Sequence, residues 1–292
     1  MPDWNLVASA ISDATRVPFK LLNASPISGG DINQAFCLTA ADGTNHFIKL
    51  NTAKHQPLFL DEISGLESLA ASDTIRTPRP ITHGIAGQHS FLALEYLELK
   101  SHGDAQALGR QLADLHRHTA KQFGFAQDNF IGTTAQPNGW DNNWITFWRE
   151  QRLGFQLQLA KKNGYGGKLQ QLGAQLLDAL PTFFSDYTPP ASLLHGDLWS
   201  GNYAYLADST PLLFDPACYY GDRESDLAMT ELFGGFPAGF YTAYQTAYPL
   251  DPGYKTRRDL YQLYHILNHA NLFGASYAKQ AEQIMLKLLA KP

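Results

Sequence analysis

Residues 193–205, LLHGDLWSGNYAY, set His195, Asp197 and Asn202 in a short polar stretch between apolar segments. Two leucines arriving at His-Gly-Asp read as an extended segment entering a tight loop, and Tyr203, Tyr205 and Leu206 restart an extended one. A second apolar run, LLFD, delivers Asp215 thirteen residues after Asn202. The intervening residues can form a hairpin around Asp208-Ser209, which would return Asp215 to the side of Asn202. Two side-chain oxygens converging in this way suit a hard cation such as magnesium, completed by phosphate and water. Asp197 is then left to accept a proton. Taken singly, each residue has a plainer use: His195 as a satisfied core histidine, Asp197 and Asn202 as turn formers.

Upstream, HFIKLN carries Lys49 on an expected strand. A strand lysine ordinarily lies on the solvent face, so a sharper role requires an acid within reach. Counting 100° per residue from Phe59, Glu62 falls at the edge of the next helix's apolar stripe, near Leu66 and Leu69, while Asp61 points away. A carboxylate bordering a buried face is costly unless paired. Lys49 is its natural partner, and the pair would hold the ammonium toward a nucleotide's phosphates. Earlier still, ISGGDINQAF places Ser28, Gly29, Gly30, Asp31 and Asn33 in a turn between extended segments. Paired glycines let backbone N–H groups approach a phosphate closely, although the stretch is neither a P-loop nor G-x-G-x-x-G. Gly-rich turn, strand Lys, helix Glu, H-x-D-x-x-x-x-N and strand Asp follow one another in the order of the phosphoryl-transfer machinery of the protein-kinase class.

The elements that must carry these groups fall into two patterns. DWNLVASAISDAT has helical spacing. FKLLNASPI, QAFCLTA and HFIKL read as strands, the last two joined by a hairpin at Asp42-Gly43. PLFLDEISGLESLAAS predicts a helix with Phe59, Ile63, Leu66 and Ala70 in one stripe, IRTPRPITHG a loop, and SFLALEYLEL a strand. After Lys100 helices dominate: DAQALGRQLADLHRHT with Leu108, Leu112, Leu115 and Thr119 on one face, NNWITFWREQRLGFQLQLAKK, GGKLQQLGAQLLDAL, ESDLAMTELF, and TRRDLYQLYHILNHANLF to the end. The expected fold is α+β and bilobal, protein-kinase-like. Residues 1–97 form a small antiparallel β-rich nucleotide-binding lobe with one key helix, and residues 98–292 a larger, mainly α catalytic and substrate-binding lobe.

Bulk properties narrow the partners. A net charge of −5 disfavours nucleic acid or an anionic membrane, both of which demand a basic face. Cys37 and Cys218 are too few for a disulfide framework and read as buried thiols. The first residues lack a basic start and a continuous apolar run, so the cytoplasm is the expected compartment.

Nearly the whole chain resembles the fructosamine kinase (ketosamine-3-kinase) family, a branch of the kinase-like superfamily that also holds aminoglycoside and choline kinases. The resemblance is carried by GGDINQAF, FIKLN, LEYL, LGRQLADLHR, FGFAQDNFIGTTAQPNGW and WITFWREQRLGFQLQLA, then by LLHGDLWSGN, DPACYYGDRESDLAMTELFGGF and LYHILNHANLFG. It implies ATP-dependent, magnesium-requiring phosphorylation of a free or protein-linked ketoamine at its C-3 hydroxyl, leading to deglycation, by a monomer. Asp197 would be the base and Asn202 and Asp215 the metal ligands. Lys49 would contact the α/β-phosphates, positioned by Glu62, and Ser28 to Asn33 would cover the phosphates. The backbone of Glu95, Tyr96 and Leu97 would receive adenine. Trp199 would pack on the sugar or anchor its loop. Of Asp222 and Asp226, at least one would brace the catalytic loop, with Asp222 also placed at the substrate. His265 and His269 would be packing groups or a pocket wall. Asp31 stands where some relatives carry cysteine. Two other readings remain: a kinase for another hydroxyl acceptor, aminoglycoside- or choline-kinase-like, and a nucleotide-binding module without catalysis.

Overall fold

A computed structural model describes residues 2–28 and 32–290. Helix α1 (Trp4–Thr15) begins behind Asp3, whose Oδ1 accepts the Asn5 N–H at 3.0 Å, and buries Val7, Ala8 and Ile11. Strands β1 (Leu21–Ile27), β2 (Gln34–Ala40) and β3 (Asn45–Thr52) precede helix α2 (Gln56–Ala71), followed by β4 (Pro80–Ala86) and β5 (His89–Glu95). The five strands form one antiparallel sheet in the order β1-β2-β3-β5-β4.

Strand alternation sorts this sheet's side chains between two cores. Phe91 and Ala93 of β5 join Ile48 and Leu50 of β3 and Val7 and Ile11 of α1. Leu92 and Leu94 instead meet Phe59 and Leu66 of α2. Lys49, between Ile48 and Leu50, is therefore delivered to the α2 side. The α2 stripe runs through Phe59, Leu66 and Leu69, whereas Ala70, expected within it, is exposed. Residues 80–84, expected as loop, belong to β4. That strand lies at the sheet edge and starts at Pro80, where a missing N–H removes no ladder bond.

Helix α3 (Ala105–Leu115) buries Leu108, Leu112 and Leu115. Thr119, expected on that face, has already left the helix and pairs in β6 (Thr119–Ala120). A hairpin of β7 (Asn129–Ile131) and β8 (Thr134–Gln136) leads to α4 (Trp144–Trp148), a π-helical turn over Arg149–Leu153, α5 (Gly154–Lys162) and α6 (Lys168–Ala179). Next come β9 (Ala191–Leu194), β10 (Tyr203–Tyr205), β11 (Pro211–Leu213) and β12 (Tyr219–Gly221). Strand β9 sits between β12 and β6, and β10 pairs with β11 through a turn in which Ser209 has φ 70°. Helices α7 (Glu224–Thr230), α8 (Ala238–Ala247), α9 (Tyr254–Phe273) and α10 (Ala275–Leu289) complete the chain. No helix among the described residues is long and apolar enough to cross a membrane.

The chain divides into two compact units, Met1–Asp104 with Ala204–Pro216, and Ala105–Tyr203 with Ala217–Pro292. In the second, α7 is buried along its whole length despite carrying Glu224 and Asp226. Arg257 of α9 grips Glu224 with two bonds, Nε to Oε2 at 2.7 Å and Nη2 to Oε1 at 3.0 Å. Burial, reinforced by the charge of Asp222 and opposed by Arg257, pushes the Glu224 carboxyl from its ordinary 4.5 up to about 7. Between those values the folded protein holds a proton that the unfolded chain has released, so this group's contribution to stability falls as pH rises through that window. The wild-type melting temperature is therefore expected to decline more steeply between about pH 5 and about pH 7 than that of Glu224→Gln. Thermal unfolding at several pH values checks this, and equal slopes would contradict it.

Candidate active site

In the first unit one ammonium serves two acids. Lys49 Nζ lies 2.6 Å from Glu62 Oε1 and 2.5 Å from Asp215 Oδ1. The side chains of Lys49 and Glu62 are 9% and 11% exposed, that of Asp215 45%, so only the last opens substantially to solvent. Burial works against the lysine charge, but Asp215 and Glu62 outweigh it and hold the ammonium above its ordinary pKa. Glu62 is pushed up to about 7 by burial, with Lys49 opposing and Asp215 adding repulsion. One cation cannot neutralise two carboxylates, and the deeper one carries the excess. Asp215 follows β11 with φ 58°, a left-handed conformation that aspartate tolerates better than most residues.

In the second unit the loop after β9 is fixed by its backbone. Gly196 has φ 84°, and a Cβ there would lie 2.0 Å from the Ala217 carbonyl oxygen. No side chain fits, and the resulting turn places the loop against β12. Asp226 accepts the His195 N–H at 2.7 Å through Oδ2 and the Gly196 N–H at 2.9 Å through Oδ1. Burial alone would raise its carboxyl pKa, but hydrogen bonds led by that from His116, with the Gly196 N–H, hold it below the ordinary value. The Asp197 N–H donates to His195 Nδ1 at 3.3 Å. Asn202 Nδ2 donates to the Asp197 carbonyl at 2.8 Å and reaches Asp197 Oδ2 at 3.4 Å. Asp197 and Asn202 are thus clamped across their loop. Gly196→Ala combines left-handed strain with steric overlap and should cost about 2–4 kcal/mol of stability. Chemical denaturation measures it, and a loss under about 0.5 kcal/mol, typical of a surface change, would contradict this account.

The remaining expected residues separate clearly. Asp222, expected at the substrate, is 0% exposed. It accepts from Tyr261 Oη at 2.5 Å, Tyr187 Oη at 3.0 Å and the Glu224 N–H at 3.0 Å. Its lone pairs are committed to scaffold, which corrects that expectation; Asp226, four residues on, is the brace. Trp199 is 37% exposed and lies over Gly201, where a Cβ would approach Cη2 to 2.4 Å. The glycine lets the indole lie flat on the loop. His265 is buried, and His269 bonds its carbonyl at 2.8 Å while stacking near Phe233. Among the described residues no three His, Cys, Asp or Glu side chains form a metal-holding group.

Glu95 accepts from Arg76 Nη2 at 2.5 Å and the Arg79 N–H at 2.7 Å, and the chain leaves the sheet at Tyr96 and Leu97. Asn33 Oδ1 accepts from Asn51 Nδ2 at 2.8 Å, and Ser28 is exposed at the end of β1. Gly29, Gly30 and Asp31 lie outside the described residues. Sequence reasoning passed over His116, fully buried with Nε2 3.2 Å from Asp226 Oδ2. A local signal existed: a histidine directly following the Leu108–Leu112–Leu115 face is carried toward the core.

A family model described as fructosamine kinase matches residues 3–291. The chain belongs to the fructosamine kinase family. It is 46% identical to the probable ketoamine kinase of Synechocystis sp., over 98% of this chain and 97% of that protein. It is 39% identical to the chloroplastic protein-ribulosamine 3-kinase of Arabidopsis thaliana, over 97% and 85%. A Haemophilus somnus crystal structure assigned as a fructosamine-3-kinase superposes with a TM-score of 0.89 at 29% identity, covering 98% and 97%. The fold is accordingly protein-kinase-like and the chain a phosphotransferase of the kinase-like superfamily, whose members use ATP as substrate, typically with a divalent metal.

Proposed function

We propose that this member of the fructosamine kinase family transfers the γ-phosphoryl group of ATP to the C-3 hydroxyl of a ketoamine and thereby starts deglycation. The observation that carries this reading is the fixed loop of residues 195–202, in which Asp226 holds the His195 and Gly196 N–H groups and Asn202 holds the Asp197 carbonyl, so that the backbone on both sides of the Asp197 carboxylate is tied down. In the forward step the Asp197 carboxylate takes the proton of the sugar hydroxyl, whose oxygen bonds the γ-phosphorus as the bond to ADP breaks. Lys49, kept charged by Glu62, faces the α- and β-phosphates, and the Glu95–Leu97 backbone receives adenine. Trp199 offers its ring to the apolar face of the sugar. The half-exposed Asp215 and the carboxamide of Asn202 suit magnesium, which prefers few protein oxygens supplemented by phosphate, and the ion would neutralise charge on the phosphates.

The names of the Synechocystis and Arabidopsis relatives support a ketoamine acceptor. A C-3 phosphate is allylic to the C1–C2 enaminol that a ketoamine forms. It can leave as inorganic phosphate, and hydrolysis of the resulting imine frees the amine. Incubation with Mg-ATP and a panel of fructosamines, ribulosamines, an aminoglycoside and choline tests the reading. Phosphorus NMR should show a phosphate coupled to the C-3 proton of a ketoamine, followed by release of amine and inorganic phosphate. Phosphorylation of choline or the aminoglycoside alone would replace the ketoamine reading with another acceptor. Nucleotide binding without any product would leave a binding module.

A further inference from the structure

Behind the loop of Asp197, the brace Asp226 is joined to a line of buried polar groups, His116, Tyr244 and Arg223, to which the proposed reaction assigns no part. Arg223 Nη1 donates to Tyr244 Oη at 3.0 Å. Tyr244 Oη lies 2.7 Å from His116 Nδ1, and His116 Nε2 lies 3.2 Å from Asp226 Oδ2. The same Asp226 oxygen receives the His195 N–H, and its neighbour receives the Gly196 N–H. Arg223 is anchored in turn by the Tyr248 carbonyl at 2.8 Å and lies over the Tyr248 ring.

The protons in this line have one consistent arrangement. A guanidinium can only donate, so the tyrosine oxygen accepts from Arg223 and its own hydrogen turns to His116. Nδ1 is then an acceptor. Burial, opposed by Asp226, keeps His116 below its ordinary pKa, so the ring is neutral and carries its hydrogen on Nε2, toward the carboxylate. The opposite tautomer would set a bare nitrogen against Asp226.

We infer that His116, held in its Nε2–H tautomer by Arg223 and Tyr244, is a positioning residue for phosphoryl transfer: it fixes the Asp226 carboxylate that holds the Asp197 loop. This rests on the reading of that loop as catalytic. His116 touches no reacting atom; without its hydrogen bond Asp226 can rotate, and both loop N–H bonds slacken with it.

Three variants and one spectrum test this. His116→Leu should lower kcat about 100-fold, the scale of a slight misplacement of a reacting group, with the KM for ATP unchanged. His116→Gln, whose amide can both accept from Tyr244 and donate to Asp226, should recover most of the loss. Tyr244→Phe should fall between them. Unaltered kcat in His116→Leu, equal damage in His116→Gln, or a loss appearing only in the KM for ATP would overturn the inference. Should His116→Leu fail to fold, the comparison of Tyr244→Phe with His116→Gln decides it in the same way. Nitrogen-15 NMR of histidine-labelled wild type requires no substrate. It should show His116 protonated on Nε2 and bare on Nδ1, and the reverse tautomer or an imidazolium would overturn the inference. Absence of ketoamine turnover in the wild type would instead defeat the functional reading and leave the tautomer assignment to stand or fall on the spectrum.

Discussion

Asp197→Asn is expected to bind ATP as the wild type does and to lose kcat by about 10²–10⁴-fold, the contribution of a positioned general base. The substitution preserves size and leaves the backbone bonds that shape the loop. The N–H still donates to His195 Nδ1, and the carbonyl still accepts from Asn202 Nδ2. What disappears is the negative charge and, with it, the capacity to take a proton. A sugar hydroxyl is a weak acid, and its oxygen attacks better as the proton departs, so the loss belongs in the chemical step and should appear equally in kcat and kcat/KM. Calorimetric titration with a non-hydrolysable ATP analogue, beside single-turnover kinetics, separates binding from chemistry. Turnover close to wild type would remove Asp197 from the role of base. A large fall in nucleotide affinity with intact chemistry would mean that its charge acts on the phosphates.

Part of this site is legible from local rules, and the boundary has a physical cause. Strand period two sends Lys49 to the face opposite Ile48 and Leu50, and helix period 3.6 sets Glu62 beside Leu66 and Leu69, so their pairing follows from patterning alone. The hairpin around Asp208-Ser209 is legible from turn chemistry. Asp222 is different. The stretch GDRESDLA looks like solvent-facing polar sequence, yet it is buried because Tyr187, Tyr261 and Arg257 arrive from distant segments to satisfy it. Nothing near Asp222 in the chain announces those partners. His116 and Asp226 meet across 110 residues for the same reason. Strand β4 escapes notice because its proline, threonine and glycine signal turns. It forms because a sheet edge tolerates them, a tertiary circumstance. Helix α8 follows Pro237 in a segment of glycines and tyrosines with no strong stripe, and it is fixed largely by close packing of Gly109 against the Phe240 carbonyl.

Lys49→Met should lower kcat/KM for ATP by about 10²–10³-fold, the scale of removing one preorganised electrostatic contact. It should do so without unfolding the protein. Deleting a buried cation ordinarily strands its partner at a cost of about 3–5 kcal/mol. Here Glu62 already titrates near neutrality, at about 7, and can take up a proton in place of the missing ammonium. Asp215 is half open to solvent, so water can take the place of the lost ammonium there. The stability loss should therefore fall below that range and shrink as pH is lowered toward 7, because Glu62, freed of the opposing Lys49 charge, takes up its proton above 7 in the folded variant. Glu62→Gln should be milder, about tenfold in kcat/KM for ATP: the amide oxygen still accepts from Lys49 but no longer confines it by charge. Glu62 acts through Lys49 alone, so the double variant should be no worse than Lys49→Met, a coupling energy equal to the whole Glu62 effect. Steady-state kinetics on the four proteins close the cycle. Additive losses would mean that Glu62 reaches the nucleotide by a route of its own, and the triad of one lysine and two acids would then not be the unit that grips the phosphates.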